Sequence, residues 1–284
     1  MIYSIFNKNI SATFSSLGAE LQSFAKIETG RNYLWNANSE FWAKHSPVLF
    51  PIVGTLKNNF FVYENQKYEM PRHGFARDCN FVVVQHRDQE IIFSLQSNEQ
   101  TLSKYPFRFE LQIQYLLIDF KLQIRYSVIN LEVKPIPFSI GGHPAFALPE
   151  NFEKYSLLFE HQEKLKSYSL TNDLLSENYD EIAVTNKLLP LSYSLFENDA
   201  LILKELKSKV ITILECGKPI ISMSYSDFLN FGIWTKPNAP FICLEPWLGY
   251  SDIKNHNHQI LEKEGIQIVE EKSTFECSYS IIIH

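Results

Sequence analysis

The stretch FELQIQYLLIDFKLQIRYSVIN, residues 109–130, decides the fold class of this chain of 284 residues. Large apolar side chains alternate with polar ones over residues 109–117 and again over residues 120–128. A period of two predicts strands with one buried and one solvated face, and Asp119 at their junction predicts the turn of a hairpin. The same alternation returns near the C-terminus, from Phe275 to Ile283. The sequence therefore predicts antiparallel sheet in the middle and at the end of the chain.

The composition extends this prediction to the whole chain. Aromatic residues make up 14%, with 22 Phe and 14 Tyr against 10 Gly, a balance typical of strands. Short helices are predicted at residues 98–104, 39–44 and 199–206, and the polar stretch 164–191 is predicted to be an irregular surface connection. Since no linker or repeat divides the chain, we expect a single domain over residues 1–284, an all-β fold built as a large antiparallel β-sandwich.

Charge and cysteine content exclude several function classes. The formal net charge of −6 opposes nucleic acid as a partner, because phosphate binding requires a basic surface. No apolar run reaches the ~20 residues of a membrane span, and the N-terminus does not resemble a signal peptide. The four cysteines are widely spaced, which indicates reduced thiols and a cytoplasmic protein. The oligomeric state stays open.

Three titratable residues lie in segments with unusual neighbours. These are His73 in MPRHGFARD (70–78), His143 in IGGHPAFALP (140–149) and Glu245 in FICLEPWLG (241–249). Each is flanked by glycine, proline or aromatic residues and closes or follows an apolar run. Two imidazoles and a carboxylate are sufficient for proton transfer without a metal. Aromatic surroundings suit a sugar, whose ring faces are apolar and whose edges carry hydroxyls.

Each of these residues also has a structural interpretation. His73 and His143 could be ordinary turn or loop residues. Glu245 follows an apolar strand, where an unpaired carboxylate is costly, so an ion pair such as one with Lys236 is the alternative to a catalytic role. Asp199 precedes an apolar run, which is the usual setting of a helix N-cap.

No metal or cofactor site is predicted. His256 and His258 lie two apart in a polar loop and lack a third ligand at a recognisable spacing. The chain has no nucleophile elbow, no phosphate-binding loop of the Walker type and no dinucleotide-binding fingerprint. Serine-hydrolase, nucleotide-hydrolase and dinucleotide-dependent activities therefore have little support.

The order and wording of these segments resemble the aldose 1-epimerase (galactose mutarotase) superfamily, and most closely its LacX-like subgroup. The resemblance rests on HGFARD, GGHPAFALP, LFENDALIL and FGIWTKPNAPFICLEPWLG, and it runs from Leu17 to the C-terminus. It implies a β-sandwich of the type called a supersandwich and a cofactor-free interconversion of the α and β anomers of an aldose, with a small-molecule sugar as the partner.

The resemblance also implies roles for individual residues. Glu245 matches the family's catalytic base and His143 its general acid. His73 matches a second imidazole that contacts the sugar, and Asp199 matches an aspartate that binds sugar hydroxyls. From its position two residues after Glu245, Trp247 is expected to stack on the sugar or to lie in the core.

The basic residues near His73 leave the substrate open. Lys57 stands where galactose mutarotases have an arginine, and the Arg77 segment resembles hexose-6-phosphate mutarotases. A free aldohexose is the expected substrate, and a hexose 6-phosphate is the alternative. Two further alternatives are a carbohydrate-binding sandwich without catalysis and a glycoside hydrolase or lyase that pairs Glu245 with Asp199, since hydrolases place two carboxyls ~5–9.5 Å apart.

Overall fold

The computed structural model describes all residues from Met1 to His284, and nearly all of its regular structure is β-strand. The first twelve strands are β1 (Ile2–Phe6), β2 (Ile10–Ser15), β3 (Leu21–Lys26), β4 (Val48–Leu49), β5 (Phe60–Tyr63), β6 (Gln66–Glu69), β7 (Val82–Arg87), β8 (Glu90–Gln96), β9 (Phe109–Ile118), β10 (Lys121–Asn130), β11 (Ile136–Phe138) and β12 (Ile140–Gly142). The remaining strands are β13 (Ala145–Ala147), β14 (Tyr155–Phe159), β15 (Lys164–Thr171), β16 (Leu174–Ala183), β17 (Leu188–Pro190), β18 (Leu201–Leu203), β19 (Val210–Glu215), β20 (Lys218–Ser224), β21 (Asn230–Trp234), β22 (Phe241–Leu248), β23 (Gln267–Val269) and β24 (Thr274–Ile283). The helical elements are α1 (Glu99–Leu102) and single 3-10 turns at Lys57–Asn59, Ala76–Asp78, Phe152–Lys154, Tyr193–Phe196 and Ile260–Glu262.

Two large antiparallel sheets pack against each other and bury one continuous core. The first has nine strands in the order β17-β14-β19-β20-β24-β10-β9-β8-β7. The second has eight, in the order β16-β15-β18-β21-β22-β12-β4, with β13 also paired to β22. Both sheets contribute to a cluster of 66 buried residues. The predicted all-β sandwich is therefore confirmed.

The alternating segments that indicated the fold are neighbours in the nine-stranded sheet. Strands β9 and β10 form a hairpin in which Ile118 pairs with Lys121, so the turn contains only Asp119 and Phe120. Asp119 has a φ of 51°, in the left-handed region that tight hairpins require. Strand β24 pairs along the other edge of β10, and the apolar faces of all three strands point into the core.

Three local predictions were wrong. Residues 199–206 contain the strand β18 rather than a helix, because the short apolar run fills the gap between β15 and β21. Residues 39–44 contain a turn. The stretch 164–191 includes a long hairpin, β15–β16, instead of an irregular connection. The helix within 98–104 is confirmed, since Asn98 caps α1 by accepting from the backbone N–H of Thr101.

Strand β22 carries the feature that positions the site, because it is buried on both faces. Ile242 and Leu244 point into the main core. Phe241 and Cys243 point to the opposite face and join a separate aromatic cluster. Glu245 continues the series of Phe241 and Cys243, since alternate residues of a strand share a face. A carboxylate therefore emerges on the outer face of the second sheet, beneath the loops that cover it.

No helix in the molecule has the length and apolar character needed to cross a membrane. All four cysteines are free thiols.

Candidate active site

The pairing of three strands sets His143 directly against Glu245. Gly141 pairs with Trp247, and Ala145 pairs with Cys243, so the register on both sides places His143 opposite Glu245. Opposed side chains in an antiparallel pair have Cβ atoms only ~4.5–5.5 Å apart. His143 Nε2 accordingly lies 3.1 Å from Glu245 Oε2. The two residues are neighbours although they are far apart in sequence.

Burial dominates the electrostatics of this pair. Glu245 is 1% exposed, and burial raises its pKa well above the usual carboxyl value. The Asp199 charge raises this pKa further, whereas the Arg72 charge and the Trp247 indole lower it. Burial also lowers the pKa of His143 to about 3. Desolvation therefore disfavours the fully deprotonated pair and the doubly protonated pair, and the pair retains one proton over a broad pH range.

His143 and Glu245 lie at ion-pair distance without forming a well-aligned hydrogen bond. Glu245 Oε2 is buried and makes no well-formed hydrogen bond to another protein group, although His143 Nε2 lies within ion-pair distance and the Trp247 indole is near enough to lower the Glu245 pKa. A buried polar atom without a partner is rare, because leaving it unsatisfied costs about 1–3 kcal/mol. The carboxylate therefore keeps one direction free for an O–H group of a ligand.

The backbone of two loops fixes His73. The His73 N–H donates to the carbonyl of Gly54 at 2.8 Å, and the Gly54 N–H donates to His73 Nδ1 at 3.1 Å. His73 itself has a φ of 67°, an uncommon conformation for a residue with a side chain. Gly74 follows at a φ of 71°, and a Cβ there would lie 2.2 Å from the carbonyl oxygen of Phe50. Only glycine fits beside His73.

His73 joins the same cluster as His143 and Glu245. The rings of His73 and His143 lie 6.0 Å apart between centroids and are nearly perpendicular. Burial lowers the pKa of His73 well below its usual value, and the charges of His143, Arg72 and Arg77 lower it further. Three residues singled out in the sequence thus lie within the reach of one sugar-sized ligand.

Of the other predicted binding residues, some lie near the His143–Glu245 pair and others are engaged elsewhere. Asp199 lies near enough to raise the pKa of Glu245, and it has a φ of 82°, so it is a loop residue rather than a helix cap. Arg77 donates to the carbonyl of Arg72 at 2.8 Å and lies 3.8 Å from Asp78. Lys57 instead donates to the carbonyl of His256 at 2.9 Å, so its ammonium is engaged in loop structure.

The aromatic neighbours of the site differ from the expected one. Trp247 is 5% exposed and packs in a small apolar cluster with Leu49, Val53 and Leu175, which makes it a core side chain. Two other tryptophans surround the His143 ring. Trp42 stacks on it with centroids 4.8 Å apart, and Trp234 meets it edge-on at 5.8 Å. Neither was identified from the sequence, where no pattern connects them to His143.

The ion-pair interpretation of Glu245 is excluded in its predicted form. Lys236 donates its ammonium to the carbonyl of Phe41 at 2.7 Å, and the titratable partner of Glu245 is His143. An imidazole facing a carboxylate is the arrangement of an acid–base pair.

One set of donors in the site could hold a metal ion. Ligand atoms of His143, Cys243 and Glu245 lie within 4.8 Å of one another. A zinc site would require the thiolate form of the cysteine. Burial and the Glu245 charge raise the pKa of Cys243 well above its usual value, which opposes that form. Without a metal the thiol is therefore protonated, and the imidazole and the carboxylate are the groups available for proton transfer.

A cavity of about 1040 Å³ lies elsewhere, along β15, β16 and the segment 204–207 that follows β18, and shares no residue with this cluster. Its walls combine lysines such as Lys164 and Lys166 with the carboxylates of Glu181 and Glu205, so its charges largely offset one another. It contains no imidazole, and therefore it lacks the acid–base pair that the cluster has.

Comparison with known proteins gives a consistent result. A sequence model of the family described as aldose 1-epimerase matches residues 1–262. The chain is 34% identical to the plasmid-borne protein LacX of Lactococcus lactis subsp. lactis, over 100% of this chain and 99% of that protein. It is also similar to a solved galactose mutarotase related enzyme from Lactobacillus acidophilus, with 34% identity, a TM-score of 0.95 and coverage of 100% of this chain and 97% of that one. A galactose mutarotase-like protein from Lactobacillus casei superposes with a TM-score of 0.93 at 28% identity, and each chain is covered in full.

Proposed function

Because this chain belongs to the aldose 1-epimerase family, we propose that it is an isomerase that interconverts the α and β anomers of a free aldohexose. The observation that carries the proposal is the 3.1 Å contact between His143 Nε2 and Glu245 Oε2. O1 and O5 of an aldopyranose are both bonded to the anomeric carbon. A base and an acid that lie side by side can therefore serve both oxygens at once.

In the proposed reaction the pair exchanges two protons with the sugar. Glu245 accepts the proton of the O1 hydroxyl while His143 delivers a proton to O5. The C1–O5 bond breaks, C1=O1 forms, and the ring opens to an aldehyde with a hydroxyl at C5. Rotation about C1–C2 presents the other face of the aldehyde. The C5 hydroxyl then attacks C1, His143 recovers the O5 proton, and Glu245 returns its proton to O1.

The shared proton explains why burial suits this chemistry. Both pKa shifts place the pair's one proton on Glu245 in the empty site, so both roles become available when that proton passes to His143 across the 3.1 Å contact. The raised pKa of Glu245 keeps the proton on the pair at neutral pH, and the lowered pKa of His143 prevents a second proton from binding. Each positioned group contributes roughly 10²–10⁴-fold in rate, although the two act together and their deletions do not add.

A hexose 6-phosphate is the second candidate substrate. Arg72 and Arg77 both lie near enough to lower the pKa values of His73 and His143. Arginine binds phosphate through directed, charge-assisted hydrogen bonds. However, Arg77 already contacts Asp78, and Arg72 contacts Asp173 at 3.0 Å, so both guanidinium groups have carboxylate neighbours. A free aldose accordingly remains the preferred substrate.

Two other functions are supported less well. A sugar-binding protein without catalysis would not need an imidazole against a buried carboxylate oxygen that makes no well-formed hydrogen bond. A glycoside hydrolase would use Glu245 with Asp199, whereas the titratable group that contacts the Glu245 carboxylate, at 3.1 Å, is His143. A cytoplasmic location belongs to the proposal as well, because four free thiols suit a reducing compartment.

Nuclear magnetic resonance exchange spectroscopy on glucose, galactose and their 6-phosphates tests the proposal. The purified protein should accelerate exchange between the anomeric signals of at least one free hexose. Acceleration confined to the 6-phosphates would establish the second candidate. Binding of a sugar without acceleration of exchange would contradict an epimerase and support the binding protein.

A further inference from the structure

The protonation of His73 follows from its contact with Gly54. The Gly54 N–H can only donate, so His73 Nδ1 must accept with its lone pair. Burial favours the neutral imidazole, which then carries its single proton on Nε2. The free N–H of His73 therefore points away from Gly54.

That N–H meets a second donor. The Arg72 Nε–H is directed at His73 Nε2 at 3.2 Å, and a guanidinium N–H can donate but never accept. A neutral imidazole has one acceptor nitrogen, and the backbone N–H of Gly54 already occupies it at Nδ1. Two donors thus face each other, an arrangement that gains nothing from a hydrogen bond. The two N–H groups therefore lack an acceptor, and a ligand oxygen that displaces Arg72 from this 3.2 Å contact can accept from both.

The position of Arg72 is held by a weak internal partner. Arg72 Nη1 lies 3.0 Å from Oδ1 of Asp173, at the tip of the β15–β16 hairpin. The Asn172 and Asp173 residues form its two-residue turn, and both have positive φ values of 52° and 64°. The side chains of Arg72 and Asp173 are 42% and 55% exposed. Exposed ion pairs contribute little to stability, so this contact can open without disturbing the fold.

We propose that Arg72 and His73 together bind one oxygen of the substrate, and that Asp173 competes with the substrate for Arg72. The proposal rests on the proposed function, since it assigns a recognition element to the same site. The acceptor is a ring hydroxyl or a phosphate oxygen, which present the same chemistry to two N–H donors. Arg72 is a specificity-determining residue in this scheme, and Asp173 regulates its availability.

The two partners of the ion pair should respond to mutation with opposite signs. Arg72→Met should raise the KM for anomer exchange by about 10- to 100-fold, with a smaller change in kcat, because a charge-assisted hydrogen bond is lost. Asp173→Asn should lower KM by about 1.5- to 5-fold, because the competing carboxylate is removed. If the ion pair were only structural, both substitutions would weaken the enzyme alike.

Arg125→Met is the matched control, since Arg125 is exposed on β10 in the other sheet and the substitution makes the same change in charge. Its KM should equal that of the wild type. An unchanged KM in Arg72→Met, or a raised KM in Asp173→Asn, would overturn the proposal. A loss in Arg72→Met that is confined to 6-phosphates would assign the oxygen to the phosphate, and an equal loss for free hexoses would assign it to a hydroxyl.

Calorimetric titration with the same four sugars separates this proposal from the proposed function. A wild-type protein that binds sugar without exchanging anomers would refute the epimerase. The ratio of Kd values between the wild type, Arg72→Met and Asp173→Asn would still decide the role of the pair. Absence of binding by all four sugars would overturn both proposals.

Discussion

Replacement of Glu245 by glutamine removes the proton-accepting carboxylate and keeps the size and shape of the side chain. Glutamine has nearly the same volume, so the packing around the 1% exposed side chain should persist. Its amide cannot accept a proton from O1. Because a positioned general base contributes roughly 10²–10⁴-fold, the mutant should lose about 2.7–5.4 kcal/mol of transition-state stabilisation. Line-shape or exchange spectroscopy of the anomeric protons measures this loss directly.

The Glu245→Gln protein should differ from the wild type in how its stability depends on pH. The raised pKa of Glu245 means that the folded protein binds a proton that the unfolded chain releases above pH ~4.5. The wild type therefore gains stability from this group at low pH and loses it as the pH rises through the folded-state pKa. Glu245→Gln has no such dependence. Relative to the wild type, the mutant should become more stable with rising pH, by at most about 1.4 kcal/mol per pH unit.

Glu163→Gln provides a matched control. Glu163 is 5% exposed and accepts hydrogen bonds from the backbone N–H and the hydroxyl of Ser208, both at 2.7 Å, outside the proposed site. Its substitution should reduce stability, since it weakens two charge-assisted bonds, and leave anomer exchange intact. A Glu245→Gln protein that folds and exchanges anomers at a rate within about threefold of the wild type would refute the catalytic role, because the smallest expected loss is about 10²-fold.

Further predictions concern pH, metal ions and backbone geometry. The lowered pKa of His143 predicts no loss of anomer-exchange rate between pH 6.5 and 5. The rate should fall as the pH rises above the pKa of Glu245, because the pair then loses its one proton. A loss of rate centred at the usual histidine pKa of ~6.5 would contradict the shared-proton pair. Activity should survive exhaustive chelation, and a loss that zinc restores would identify the donors around Cys243 as a metal site. Gly74→Ala should lower the free energy of unfolding, measured by urea denaturation, by about 1–3 kcal/mol more than Gly30→Ala does. Both glycines have a positive φ, but only at Gly74 would the added Cβ collide with a backbone carbonyl. Equal losses would show that the backbone relaxes to remove this contact.

The sequence alone was sufficient to predict the β-sandwich, because a strand with one buried face has apolar residues at every second position. That pattern is strong in β9, β10 and β24, whose inner faces are apolar except for Asn130 at the end of β10. It is weak in β16, where most residues are exposed on both faces, and pairing with β15 supplies the order instead. The hairpin that carries Asp173 was consequently predicted to be irregular.

The candidate residues of the site could also be identified in the sequence, since His73, His143 and Glu245 stand beside glycine, proline or aromatic residues. Their convergence could not be predicted from spacing, because the register of β12 and β13 against β22 brings His143 to Glu245. A shift of one residue would turn the carboxylate into the core.

Site neighbours that no sequence pattern connects to the site could be identified only from the three-dimensional structure. Trp42 reaches His143 from a distant turn, and Arg72 acquires its role from the tip of a remote hairpin. Trp247 lies within the same segment as Glu245, yet Leu175 and other apolar side chains cover it. Local sequence records which face of a strand is buried, whereas the contacts between loops depend on how the whole chain packs. For that reason the sequence by itself determined the sheets and the chemical groups, and only the tertiary structure decided which groups face one another.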